Sequence, residues 1–243
     1  MKVKVVWHIR WNLLWSARPG SNKTERTPER RTKEWNDYRV ELYERFCQSS
    51  LVAQTFDDFE VWLRCDPELK ALTDPMELAD ERFSIVYMPD LDAKIKQKAA
   101  EWQEEGYDTI LVCRIDSDDC LHETALAEMV KAAESIGDKT YVQLDQGLAY
   151  DLSTGVLRDW NNPSPPFIGR PVPVSEIIEN GMPPSYHHAK VRPQCKTIRG
   201  RWYYLVVCHE TNVCNKIHAS WVRRELTGDE KIKALDEFGF EEK

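Results

Sequence analysis

Short apolar runs alternate with amphipathic stretches through residues 1–145, and this alternation limits the fold more than any other feature of the chain. Val3 to Ile9 is apolar and β-branched, interrupted only by Lys4 and His8, which is the signature of a buried strand. From Trp35 to Gln54 the pattern turns helical: Leu42, Tyr43, Phe46, Cys47, Ser50 and Leu51 recur at steps of three and four. Phe59 to Cys65 reads as a strand that leaves through Asp66-Pro67, and Phe83 to Met88 as another, closed by Pro89. Leu91 to Gly106 predicts a helix with Ile95, Ala99 and Trp102 inward and Gly106 as its C-terminal cap. Thr109 to Ile115 is again of buried-strand type, and His122 to Ile136 is helical with Ala125, Leu126, Met129, Val130 and Ala133 on the inner face. Thr140–Leu144 and Leu148–Leu152 are expected to pair as a hairpin about Asp145-Gln146-Gly147. Strands and helices in this order predict a Rossmann-like α/β fold, a mainly parallel central sheet with helices on both faces. Ligands of such sheets bind beyond the carboxyl ends of the strands.

Past residue 145 the texture changes. Residues 161–193 carry eight prolines and little periodicity, Arg201 to Val207 resumes as a strand, and Thr227 to Lys243 is an acidic tail with one short helix marked by Ile232, Leu235 and Phe238. Neither a repeat nor a clean linker divides the chain, so one domain over residues 1–243 is expected. Arg18 to Lys33 is polar and basic, with Arg18, Lys23, Arg26, Arg30, Arg31 and Lys33 against Glu25 and Glu29. A loop of that length is either a solvated connection or a basic lid over an anionic ligand. With 33 Lys plus Arg against 41 Asp plus Glu the net charge is −8, which argues against a general nucleic-acid binder. No apolar run approaches the ~20 residues that span a bilayer. The start of the chain is too polar for a secretory signal, and seven scattered cysteines without a C-x₂-C pair fit a reducing compartment. A cytoplasmic location is the expectation.

The sharpest local feature is Arg114-Ile115-Asp116-Ser117-Asp118-Asp119, where three carboxylates crowd the end of a buried strand. Their repulsion is unfavourable unless a cation relieves it. A hard divalent ion, Mg²⁺ or Mn²⁺, takes oxygen ligands and keeps open positions for phosphate oxygens. Capping of the next helix by Asp118 or Asp119 is the plainer alternative, and it accounts for one or two of the three.

On this strand and turn the chain resembles the D-x-D motif of GT-A glycosyltransferases. The wider pattern is similar to the rhamnosyltransferase group over residues 36–220. The similarity rests on Arg45-Phe46-Cys47-Gln48-Ser49-Ser50-Leu51-Val52-Ala53-Gln54-Thr55, on Val61-Trp62-Leu63-Arg64-Cys65-Asp66-Pro67, and on Val206-Val207-Cys208-His209-Glu210-Thr211-Asn212-Val213. The resemblance implies transfer of a sugar from a nucleoside-diphosphate donor to a hydroxyl acceptor with Mn²⁺ or Mg²⁺ as cofactor. Residues 1–145 would form the nucleotide-sugar half and residues 146–243 the acceptor half and tail. Asp116 and Asp118 would hold the metal and the ribose-diphosphate region with Asp119 in support, and His209 would be the third metal ligand. Asp66 and Arg10 become candidates for the base and ribose, and Lys94 for the phosphates, against a turn cap, a surface arginine and, for Lys94 with Lys98, a solvated helix face. Glu210 and Asp145 are candidate bases for the acceptor hydroxyl. His187-His188 is either an acceptor contact or an idle loop pair. The acceptor is open among glycans, lipid-linked sugars, proteins and modified bases, as is the oligomeric state.

Three rivals stand beside this reading. A metal-dependent nucleotidyltransferase or phosphohydrolase would use the same acidic turn, although a haloacid-dehalogenase-type hydrolase wants its nucleophilic Asp near the first strand, where this chain has His8. A non-catalytic nucleotide-sugar-binding module is the second. A structural zinc site gathering Cys195, Cys208, His209, Cys214 and His218 is the third, and its spacing is unlike an ordinary knuckle.

Overall fold

A computed structural model of the chain describes residues 1–11, 31–136, 140–183, 191–210 and 219–240. Strand β1 (Val3–Arg10) lies inside a seven-stranded sheet, between β2 (Phe59–Cys65) and β4 (Thr109–Ile115), with β3 (Phe83–Tyr87) outside β2 at one edge. All three pairings are parallel, as the alternating order predicts. Their registers bring the carboxyl ends level: Ile9 lies beside Ile115 and Leu63, and Arg10 beside Arg64.

Side-chain alternation divides this sheet into two packed faces. Val5, Trp7, Ile9, Leu63, Leu111 and Cys113 meet α1 (Lys33–Leu42) and its continuation on one side, together with α5 (Ala125–Glu134). Val6, Trp62 and Ile110 meet α4 (Leu91–Glu104) and α6 (Val174–Asn180) on the other. Trp7, Trp62 and Trp102 are fully or almost fully buried, each contributing on the order of 2–3 kcal/mol of apolar transfer. Helix α4 ends as its sequence predicts. Gly106 takes a φ of 84°, its N–H reaches Gln103 O, and the Tyr107 N–H reaches Trp102 O, closing the helix with a left-handed residue. Helix α1 is capped by the Thr32 hydroxyl, which accepts from the Trp35 N–H at 3.2 Å, and runs on through a π-helical stretch, Tyr43–Gln48, into α2 (Ser49–Val52); the short α3 (Lys70–Thr73) follows β2. The predicted inner face of this long helix is buried at Leu42, Tyr43, Phe46, Cys47, Ser50 and Leu51.

Two expectations are corrected. Tyr141–Leu144 (β6) and Gly147–Asp151 (β7) do not pair as a hairpin. β6 stays in the seven-stranded sheet, whereas β7 belongs to a second, five-stranded sheet, where it pairs with β8 (Val156–Trp160) and β11 (Tyr204–Cys208). The two residues Asp145 and Gln146 carry the chain from one sheet to the other. Gly147 is required there, because a Cβ would stand 2.1 Å from the ring of Tyr204, itself stacked on Phe167 at 4.2 Å. The second correction concerns the proline-rich stretch. Ile168–Pro173 (β9) is an antiparallel strand inserted between β4 and β6. Its pairing with β6 is confined to Ile168 and Gly169, so Pro171 and Pro173 fall where β9 has only one neighbour and no N–H is missed on that side.

The seven-stranded sheet is completed by β10 (Cys195–Ile198), parallel to β6. The five-stranded sheet runs β12 (Val222–Leu226), β8, β7, β11 and the short β5 (Cys120–Leu121). A last helix, Gly228–Asp236, buries Ala234 and Leu235 against this second sheet, with Phe238 following. The described cysteines are all free thiols. No helix among the described residues is long and apolar enough to cross a membrane.

Candidate active site

The acidic turn is the place where the chain passes from the first sheet to the second. β4 ends at Ile115, the Asp119 N–H closes the turn on Asp116 O at 3.2 Å, and β5 begins at Cys120 in antiparallel register with Tyr204 and Leu205 of β11. The Asp119 carboxyl points inward and accepts the Val207 N–H at 3.2 Å, tying the turn to β11. β11 ends three residues after Leu205, at Cys208, so the next residue, His209, comes level with Asp118 although 91 positions separate them.

Four side chains converge there. His209 Nε2 lies 2.7 Å from Asp118 Oδ2. Arg39 Nη1 donates to the same oxygen at 3.0 Å and stands 3.1 Å from His209 Nε2, while Nη2 donates to Ser117 Oγ at 2.5 Å. The Asp118 and Arg39 side chains are only 8% and 11% exposed, so this ion pair works in a poorly screened environment. Burial alone would raise the Asp118 carboxyl, but the His209 hydrogen bond and the Arg39 charge outweigh it and hold the group down at about 2. Asp119 goes the other way. Full burial, then the charges of Asp118 and Asp116, push it well above the ordinary carboxylate range. Two adjacent aspartates are therefore pushed in opposite directions, Asp118 toward the ionised form and Asp119 toward the protonated one. Trp35, Tyr38 and Arg39 share one face of α1: Tyr38 sits edge-on to the His209 ring at 5.9 Å and Trp35 lies beneath the Arg39 guanidinium.

The remaining predicted residues are placed as follows. Asp116 is half-exposed and turned to Arg114 at 3.2 Å and Arg10 at 3.5 Å, so Arg10 does reach the strand edge. Asp66, buried at the end of β2, accepts the Glu68 N–H at 3.0 Å and caps the following turn. Lys94 donates to Ser84 Oγ at 2.8 Å with its ammonium over the Trp62 ring, an arrangement that holds it on the face of α4. Lys98 pairs with Glu60 and Glu101. Asp145 is ion-paired with Arg199 at 2.8 Å at the end of β6. Glu210 follows His209 directly, is exposed, and its charge helps to raise the Tyr38 hydroxyl, after burial. Residues 12–30, His187-His188, Cys214 and His218 lie outside the described residues. Cys195 and Cys208 stand on strands of different sheets.

Sequence reasoning did not find Arg39, Ser117 or Tyr38 as members of the cluster. Arg39 is an ordinary basic residue in the last turn of a helix, and nothing in its neighbourhood announces a partner 79 positions away. It also bears on the metal. Asp118 and His209 offer carboxylate and imidazole donors that suit Mn²⁺. However, a guanidinium nitrogen stands within 3.1 Å of both donor atoms, and Asp116 is directed to two arginines. Among the described residues no three His, Cys, Asp or Glu side chains form a metal-holding group. The expected ligand set of Asp116, Asp118 and His209 is therefore only two-thirds assembled, and as arranged it does not fit a divalent ion. The charge facing Asp118 is Arg39.

Comparison with known proteins adds the following. A family model described as "Putative rhamnosyl transferase" matches residues 4–219. No curated protein matches the chain. Among solved structures, S. aureus TarS 1–349 is similar at 14% identity over 85% of this chain and 60% of that one, with a TM-score of 0.38. A longer S. aureus TarS structure is 12% identical over 85% and 37%, at 0.35. A protein titled "putative nucleotide-diphospho-sugar transferase" from Desulfovibrio desulfuricans G20 is 13% identical over 85% and 81%, at 0.33. The chain thus spans less than two thirds of the TarS structures it matches.

Proposed function

Because the chain belongs to the "Putative rhamnosyl transferase" family, whose model covers residues 4–219, we propose that it moves a sugar from a nucleoside-diphosphate donor to a hydroxyl acceptor. The observation that carries this reading is the buried Asp118–Arg39–His209–Ser117 cluster at the carboxyl edge of parallel strands β1, β2 and β4. In this reading the donor half is residues 1–145, and residues 146–243 form the acceptor side.

Breaking a sugar–phosphate bond leaves a diphosphate whose negative charge rises toward the transition state. Pre-positioned cationic donors stabilise that charge without reorganising. Arg10 stands at the end of β1, where the diphosphate would approach, and Asp116 faces the same opening. Asp118 holds Arg39 and His209 in place, and Arg39 balances its charge, so the edge is rigid before a ligand arrives. Asp66 closes the β2 side of the same edge, under the base and ribose. Glu210, exposed directly after His209 at the edge of the cluster, is the preferred base for the acceptor hydroxyl, with Asp145 at the end of β6 as the other candidate.

The test is a donor-cleavage screen with UDP-, GDP- and dTDP-linked sugars, including rhamnosyl donors, on wild type and Asp118→Asn. Release of nucleoside diphosphate by the wild type, falling at least tenfold in the variant, is the expected result. Donor binding without turnover would replace the transferase with a binding module. Cleavage between the two phosphates rather than at the sugar would replace it with a phosphohydrolase.

A further inference from the structure

The two sides of the strand edge differ in chemistry. Arg10, Arg64, Arg114 and Arg170 gather around His8 on the far face of the sheet, whereas the α1 side carries aromatic rings and a carboxylate. Trp35, Tyr38, Arg39 and Leu42 fall on one face of α1 at steps of three and four. Leu42 is buried against the second sheet, and Tyr38 packs on the same apolar cluster while staying only half-buried. Trp35, one turn nearer the start of the helix, is half-buried as well. The face therefore passes from covered to open over two turns, and its open end presents two large aromatic rings.

This ledge is continuous with the buried cluster of the acidic turn. The Tyr38 ring stands edge-on to the His209 imidazole, 5.9 Å between centroids. The Arg39 guanidinium lies 5.8 Å from the centre of the Trp35 ring and donates to Asp118 at 3.0 Å. Glu210 follows His209, is exposed, and is near enough for its charge to act on the Tyr38 hydroxyl. That hydroxyl has no hydrogen-bond partner among the described residues. Rings left half in water forgo apolar burial, which a ligand with an apolar face recovers. Arg39 is balanced by Asp118 and Glu210 adds negative charge, so the ledge does not draw an anion, and a net charge of −8 repels a polynucleotide. A sugar ring fits better. Its flat side offers C–H groups to the negative face of an aromatic ring, and its rim of hydroxyls hydrogen-bonds to a phenol and a carboxylate.

We propose that Trp35 and Tyr38 form a stacking ledge for a sugar ring of the acceptor, which makes the acceptor a glycoside. The word acceptor rests on the transferase reading; the ledge as a carbohydrate site does not. A glycan and a lipid-linked sugar present the same ring to it.

The experiment is saturation-transfer NMR on the full chain, irradiating aromatic protons, with the methyl glycosides of rhamnose, glucose, galactose, mannose and N-acetylglucosamine. Each is measured alone and with UDP, GDP or dTDP, on wild type, Trp35→Leu, Trp35→Tyr, Tyr38→Phe and Trp35→Leu/Tyr38→Leu. Thermal melts confirm that each variant is folded. The expected result is saturation of the ring C–H protons of at least one glycoside by the wild type, with a Kd at least fivefold weaker in Trp35→Leu and within threefold in Trp35→Tyr. Tyr38→Phe, which keeps the ring, retains the C–H saturation. An equal Kd in wild type and the folded double variant overturns the ledge, as does failure of every glycoside with and without nucleotide. Saturation of adenosine or of a Ser/Thr peptide in place of the glycosides overturns the sugar. Displacement by a nucleotide sugar but not by its nucleoside diphosphate gives the ledge to the donor's sugar and overturns the acceptor assignment. Donor cleavage without glycoside contact keeps the transferase and removes the ledge. Trp35-dependent glycoside contact without donor cleavage keeps the carbohydrate site and removes the transferase reading.

Discussion

Replacing Arg39 by Gln tests the internal cation of the acidic turn most directly. The substitution keeps a polar side chain, two bonds shorter, and removes the charge opposite Asp118 together with the Nη2 bond to Ser117 Oγ. With charge centres ~4 Å apart and an effective dielectric of ~20, the lost attraction is about 4 kcal/mol. Asp118 is buried and cannot recover that charge from water, whereas its 2.7 Å bond to His209 survives and softens the loss. A net destabilisation of about 3 kcal/mol follows, which for a chain of this size lowers Tm by roughly 6–12 °C. The acid limb of the stability curve moves as well. Asp118 is depressed in the folded state, so its contribution is full above the unfolded value near 3.8 and is lost as pH falls toward about 2. Without Arg39 that window narrows. Urea unfolding of Arg39→Gln, Asp118→Asn and the double variant, from pH 2 to 8, measures both effects, and a coupling of about 2–3 kcal/mol between the two sites is expected. The same proteins report on the metal. If the guanidinium takes the place of a divalent ion, Mn²⁺ binds Arg39→Gln at least tenfold more tightly than wild type, through the vacated Asp118 and His209. Additive single-variant effects, or tight stoichiometric Mn²⁺ binding by the wild type that Arg39→Gln leaves unchanged, would refute the assignment of Arg39 as the site's cation.

Asp119→Asn should stabilise the chain near neutrality. The native carboxyl stays protonated above the pH where the unfolded one ionises, so wild-type stability falls by about 1.4 kcal/mol per pH unit as pH rises past the unfolded value near 3.8. The variant keeps the bond from the Val207 N–H and removes that slope; identical pH profiles in chemical unfolding would contradict the inference. Gly147→Ala should cost about 2–3 kcal/mol or prevent folding, since the Tyr204 ring 2.1 Å from the new Cβ is fully buried and held against Phe167. A Tm within 2 °C of wild type would show that the ring can yield. Glu210→Gln should lower transfer at least a hundredfold with little change in donor affinity, while Asp145→Asn, already neutralised by Arg199, should stay within tenfold. The reverse ranking in steady-state kinetics would move the base to Asp145.

Much of the parallel half of the fold was legible in the chain. The apolar runs of β1, β2 and β4, the inner face of the long helix from Lys33 to Val52, and the Gly106 cap all depend on neighbours within a few positions, where period and propensity carry the information. The family resemblance named Asp118 and His209 as ligands of one metal ion; the structure places the two side chains 2.7 Å apart, with Arg39 against both. The failures have a common origin. Asp145-Gln146-Gly147 has the composition of a hairpin turn, but which sheet each flanking strand joins depends on β11 and Tyr204, some 60 residues later. The prolines of β9 hid a strand because only the short overlap with β6 makes them tolerable.

The alternating architecture, the end of the central strands and the acidic turn at that end could be read from the chain alone, because each is written in local hydrophobic period and residue type. Which charges face one another was settled by the three-dimensional packing. Arg39 against Asp118, the upward shift of the Asp119 carboxyl, and the gathering of Arg10, Arg64, Arg114 and Arg170 on one face all depend on strand register and on the distance between elements far apart in the chain. Electrostatic energy falls with separation in space and is indifferent to separation in sequence, so no local pattern records it.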